Sequence, residues 1–168
     1  NRSNNMHSAL TRLNAVFSFC TSVMGVLAFA IFLTTFMNNG RDQAIANKLG
    51  VDSVKLRLSR DYATNQMSDM ADIRFNLDTN LTGLFNWNAK QIFIWVMVTY
   101  KTDENEMNEM FIWDKIMLRE DAQPIQMNAH FQKYFIYDTK NGLKNNKDVN
   151  LSINWDLIPH VGLIKRYR

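Results

Sequence analysis

Twenty-two consecutive residues without a charge, Val16 to Met37 (VFSFCTSVMGVLAFAIFLTTFM), constrain this chain more than any other feature. At about 1.5 Å rise per residue they make a helix of roughly 33 Å, which matches the hydrocarbon core of a bilayer. The polar members Ser18, Thr21, Ser22, Thr34 and Thr35 can bond back to the helix backbone, and Gly25 and Ala28 are small enough to admit a neighbouring helix. After this segment the chain is polar-rich with regular apolar punctuation, so the two parts need different solvents.

A cleaved secretory signal is the competing reading, since Ala28 and Ala30 form an A-x-A pattern behind an apolar stretch preceded by Arg12. Cleaved signals have apolar cores of about 7–15 residues. Here the run continues through Ile31, Phe32 and Leu33 to Met37, which favours an uncleaved signal anchor. Arg2 and Arg12 before it and Arg41 and Lys48 after it barely decide its orientation. Two sequons do, Asn80-Leu81-Thr82 and Asn150-Leu151-Ser152, because they serve a purpose only in a lumenal domain. The expected layout is a cytosolic tail over 1–15, the anchor over 16–37, a linker over 38–50 and a lumenal domain over 51–168. Met6 reads as the natural start, with the five residues before it extraneous.

The part after Arg41, about 125 residues, suffices for one core and leaves no room for a second domain. Cys20 is the only cysteine and lies in the apolar run, so the domain has no disulfide to hold it. Nineteen Lys and Arg against sixteen acids give a net charge of +3. The basic residues are dispersed, unlike the clustered face of a nucleic-acid binder. Lys165, Arg166 and Arg168 read as a solvated basic tail rather than a lipid-binding cluster.

Periodicity points to strands. Val54, Leu56 and Leu58 alternate with polar residues, as do Ile73, Phe75, Leu77 and Leu81. Ile92 to Val98 is continuously apolar, the pattern of a strand covered on both sides. Met110 to Leu118 and Tyr134 to Tyr137 are further strands, and Asp138 to Gly142 carries an Asn-Gly reversal. Val149, Leu151, Ile153, Trp155 and Leu157 share one face and Asn150, Ser152, Asn154 and Asp156 a wet one, until Pro159 ends the ladder. Ala44 to Leu49 reads as a helical turn. The fold class is mostly β: a single N-terminal transmembrane helix followed by an antiparallel β-sandwich. Parity places Asn80 and Asn150 on wet faces.

Chemistry is sparse. His7, His130 and His160 are isolated from one another in sequence, and none pairs at metal-ligand spacing. No G-x-S-x-G, H-E-x-x-H, C-x-x-C or phosphate-cradling glycine loop occurs. Asp103, Glu104, Glu106 and Glu109 lie between two strands, where a solvated hairpin loop outweighs a Ca²⁺ site. Trp87, Trp95, Trp113 and Trp155 read as core. No catalytic residue, cofactor, metal or small-molecule substrate is called for, which leaves binding as the work of the domain.

Specific strings narrow this. Leu10 to Phe19 (LTRLNAVFSF), Phe85 to Phe93 (FNWNAKQIF), Trp113 to Ile116 (WDKI), Lys133-Tyr134-Phe135 and Asn141 to Lys144 (NGLK), then NLSINW and Pro159, together resemble the signal peptidase complex subunit 3 family. The resemblance runs from about Met6 to Gly162. It implies a type II anchor in the endoplasmic reticulum membrane, a lumenal sandwich and a non-catalytic role beside a separate catalytic signal peptidase subunit and other membrane subunits. It also implies that Asn150 matches a glycosylated strand position, which some relatives carry at the position of Asp148, and that relatives continue past Arg168 with another extended segment. Two other classes fit the chain less well. A lumenal glycosyltransferase calls for a larger domain and a clustered acidic metal motif. A membrane-tethered adhesion module fits the sandwich but is often disulfide-stapled. Phe85 to Lys90 and Trp113 to Lys115 are the expected contact edges.

Overall fold

A computed structural model of the chain describes residues 8–37, 47–61, 64–102, 105–138, 143–144 and 149–168. The Asn-Gly reversal and the acids Asp103 and Glu104 lie outside them. The residues group into two compact units: the N-terminal helix with the short Val161–Leu163 segment, and the β domain.

The helix, α1 (Ala9–Met37), begins seven residues before the apolar run. Ser8 caps it, its Oγ accepting the Thr11 N–H at 3.1 Å. The hydroxyls of Thr21, Ser22, Thr34 and Thr35 donate to the carbonyls of Phe17, Ser18, Ile31 and Phe32. Each polar side chain of the apolar stretch named here is thus satisfied within the helix, as a hydrocarbon environment demands. Leu13, Phe17, Met24, Val26 and Phe29 are exposed, so the helix presents apolar surface to its surroundings.

The second unit is a sandwich of two four-stranded sheets. In the first, β1 (Lys48–Arg60) pairs with one edge of β2 (Met67–Thr79), and β5 (Ile125–Phe131) and β6 (Ile136–Asp138) share the other edge. In the second the order is β4 (Asn108–Leu118), β3 (Ala89–Tyr100), β7 (Val149–Pro159), β8 (Lys165–Tyr167). Every pairing is antiparallel. Ala71, Ile73, Phe75 and Leu77 of β2 face Ile92, Ile94, Val96 and Val98 of β3 and Ile153, Trp155 and Leu157 of β7 in one core. Phe75 meets Trp113 edge-on across it, ring centroids 6.4 Å apart.

Several expectations are corrected. Lys48 and Leu49 open β1 rather than ending a helical turn, because Leu49 pairs with Leu77 and packs on the core. Lys165–Tyr167 is an edge strand, not a solvated tail: Tyr167 stacks on Trp155 at 6.0 Å, and Arg166 reaches Asp156 with two bonds of 3.1 and 3.2 Å. Trp87 is not a core residue but 62% exposed, since it sits in the tight turn entering β3. The polar face of β7 is only partly wet, because Asn154 and Asp156 are buried beside Trp95 and Arg166.

Candidate functional site

The outward face of the second sheet can be read in rows across β4, β3 and β7 from the paired residues. The rows are Leu118, Gln91 and Ile158; Ile116, Phe93 and Asp156; Asp114, Trp95 and Asn154; Phe111, Met97 and Ser152; and Glu109, Thr99 and Asn150. Apolar side chains concentrate on β3 and β4 (Phe93, Trp95, Met97, Phe111, Ile116 and Leu118), interrupted by Asp114, and β7 contributes mainly polar ones. Trp95, at the centre, is buried although it faces outward. Phe93 stacks on it at 5.2 Å, Phe111 meets its edge at 6.2 Å, and the Arg166 guanidinium lies 5.2 Å above its ring. Asp156 in turn holds Arg166 and raises its pKa by hydrogen bonding and charge. Phe111, Ile116 and Leu118 remain exposed. Exposed apolar side chains gathered on one sheet face, here on either side of Asp114, suit an interaction surface.

A bulge in β4 organises the edge of this face. Val96 pairs with Trp113 and Met97 with Phe111, so Ile112 is the extra residue. Its side chain enters the core, and its carbonyl turns outward to accept the N–H groups of Lys133 and Tyr134 at 2.6 and 3.1 Å. Lys133 Nζ and Tyr134 Oη then donate to the Asp114 carboxylate at 2.8 and 2.7 Å. The Lys133 hydrogen bond is the main reason the Asp114 pKa lies below its usual value, with burial opposing and Tyr134 assisting. The strings WDKI and Lys133-Tyr134-Phe135, distant in sequence, are therefore halves of one clasp joining β4 to the segment between β5 and β6.

That segment is anchored on the first sheet by a residue sequence reasoning passed over. Gln132 donates its N–H to the Ile73 carbonyl at 3.1 Å, its Oε1 accepts the Ile73 N–H at 3.0 Å, and its Nε2 donates to the Ala71 carbonyl at 2.6 Å. A side-chain amide thus completes the β2 ladder between β5 and β6. No motif signals this.

Asn80 and Asn150, the two sequon residues, are both exposed and lie in different sheets' neighbourhoods. Asn80 Oδ1 accepts from both the N–H and the hydroxyl of Thr82, at 3.2 and 2.6 Å, which bends the sequon into an Asx turn while Leu81 between them is buried. Asn150 projects from the last row of the outward face, where β7 is paired by β3 alone, β8 matching only Trp155 to Leu157. Phe85 to Lys90 forms a turn gripped by Arg119, which donates to the carbonyls of Asn86 and Ala89. Among the described residues no three His, Cys, Asp or Glu side chains converge as a metal site would require. His130 lies edge-on to Phe75 and Trp113.

The model of a family described as "Signal peptidase subunit" matches residues 6–168. The chain belongs to the signal peptidase subunit family. Relatives named "Signal peptidase complex subunit 3" include one from Drosophila melanogaster, 39% identical over 95% of this chain and 88% of its own. Those from Gallus gallus and Homo sapiens are 35% and 34% identical over 95% of this chain and 87% of theirs. Membership spans the helix and the sandwich together, so the clasp, the bulge and both sequons fall within the family match.

Proposed function

We propose that this chain is a non-catalytic subunit of the signal peptidase complex. It is anchored in the endoplasmic reticulum membrane by α1, with the N-terminus cytosolic and the sandwich lumenal, and it supports the separate subunit that cleaves signal peptides from nascent chains. The observation that carries this reading is the match along nearly the whole chain to proteins named as a subunit of that complex. The arrangement of the domain supports it: a sheet face with exposed apolar side chains at Phe111, Ile116 and Leu118 suits a scaffold that is held against another protein. Asn150 and Asn80 are the proposed glycosylation positions.

Affinity purification of the full chain after gentle detergent extraction is expected to recover a serine peptidase subunit in stoichiometric amount, and depletion of the chain to leave signal peptides uncleaved. Recovery of the chain alone, with cleavage unaffected, would sink the proposal. Phe111→Glu combined with Ile116→Glu is expected to weaken that recovery while leaving the circular dichroism of the domain intact, because both side chains already face solvent.

A further inference from the structure

The first sheet runs past the second at β1. In an antiparallel ladder the two residues of a pair project from the same face. Val51, Val54 and Leu56 pair with Phe75, Ile73 and Ala71, all in the core, and Leu58 pairs with the buried Asp69. A bulge at Asp52 keeps Val51 and Val54 on one face although they are three residues apart. Yet Val51, Val54, Leu56 and Leu58 are 53%, 51%, 44% and 61% exposed. They are core-side residues that nothing covers. Lys55 and Arg57 project from the opposite face, as charges that guard an edge strand do, and leave the inner side unguarded.

The missing cover is a stretch of the second sheet. β7 lies across the core from β1, and on its side away from β3 it is paired, among the described residues, only at Trp155, Asp156 and Leu157, by β8. The loop over 80–88 joins the end of β2 to the start of β3, so the end of β7, where Pro159 pairs with Ala89, lies over the start of β1, where Lys48 pairs with Asp78. There Leu49 packs on the core. The edge of β7 over 149–154 is left open beside the uncovered part of β1, a length of about 20 Å. Val149 and Leu151 add apolar side chains to this shelf, whereas Asn150, Ser152 and Asn154 project from the outward face.

An extended polypeptide fits such a place. A strand offers main-chain donors and acceptors to the edge of β7 and, at every second residue, a side chain to the apolar row of β1. The bordering strands set its charge. β1 carries Lys48, Lys55, Arg57 and Arg60 against Asp52, and β8 carries Lys165 and Arg166 with no acid. Of these, Arg57 and Arg166 are answered within the domain by Asp72 and Asp156. A second copy of this chain would bring the same cations to the shelf, whereas an acidic segment complements them. We propose that the shelf seats an extended strand of another polypeptide, apolar and acidic at alternate positions, which pairs with the edge of β7 over 149–154 and packs on β1. The inference rests on the sandwich alone and not on the role proposed in the complex.

The test uses the full chain in phosphatidylcholine nanodiscs and a fluorescent peptide of alternating Val and Glu, with empty nanodiscs as the blank. Saturable binding is expected. It should weaken about tenfold for a peptide with the same residues in separate Val and Glu blocks, and likewise for one of alternating Val and Lys. Val54→Thr combined with Leu56→Thr keeps strand propensity but removes the apolar row, and should weaken binding to a similar degree with the circular dichroism unchanged. Methylation of the peptide's main-chain nitrogens removes its donors without touching the chain, and should abolish binding. No saturable binding, equal binding of the alternating and block peptides, or binding that survives methylation overturns the proposal. Sedimentation of the chain as a dimer that the Thr substitutions dissociate would give the shelf to a second copy and overturn it too.

Discussion

Gln132 joins the first sheet between β5 and β6 through three hydrogen bonds to β2. Its amide supplies an acceptor and a donor that the chain cannot, because the backbone leaves β2 at this point to reach β4. Gln132→Ala would leave the Ile73 N–H and the Ala71 carbonyl buried without partners, at a cost of about 2–4 kcal/mol. Thermal unfolding of the full chain in detergent should show it as a marked fall in Tm, and an unchanged Tm would refute the account. Asp114 makes a smaller, pH-dependent contribution. Its pKa is lowered on folding, so the stabilisation is present above the ordinary carboxylate value of about 3.9 and is lost as pH falls through the folded value. Asp114→Asn should therefore be less stable than the native chain near neutrality, with the two denaturant midpoints converging at acid pH. The raised pKa of Lys133 works in the opposite range, its contribution lost as pH climbs through the folded value.

At the scale of elements, the sequence was most legible where burial alone decides conformation. Alternation finds β2 and β7, and the continuous run Ile92 to Val98 finds β3, because these strands line the core; β1 is found by the same alternation although its Val54, Leu56 and Leu58 are exposed, so there the pattern marks a strand without a buried face. Residues 125–131 and 165–167 escape such reasoning. β5 buries Ile125 but leaves most of its length exposed, and its register against β2 shifts between Phe75 and Leu77, with Ala129 at φ 49°. The sequence places no glycine at that left-handed position to announce the irregularity. Replacing Ala129 by Gly removes the Cβ penalty there and should stabilise the chain by up to about 1 kcal/mol, read as a higher denaturant midpoint with unchanged slope. β8 is short and charged, and only tertiary partners make it a strand. Trp87 reads as core because a large aromatic normally implies burial, whereas its exposure is decided by a turn held partly by the His160 N–H. The clasp was half legible: its strings identified the family, but nothing in their separate composition shows that Lys133 and Tyr134 meet Asp114.

For the molecule as a whole, orientation is the property that the sequons test. Asn150 stands at the end of the sandwich remote from the start of β1, on an outward row where, among the described residues, β3 alone pairs β7. Asn80 stands at the opposite end, two residues before the Asx turn closes on Thr82 and close in sequence to Trp87. Expression in cells should give a glycosidase-sensitive band shift that Asn150→Gln and Asn80→Gln each reduce by one step and the double variant abolishes. A shift lost entirely with one single substitution would assign the glycan to that position alone. Absence of any shift in the native chain would remove the support that the sequons give to a lumenal domain, and the direction in which α1 crosses the membrane would then have to be established by protease protection of the sandwich in sealed microsomes.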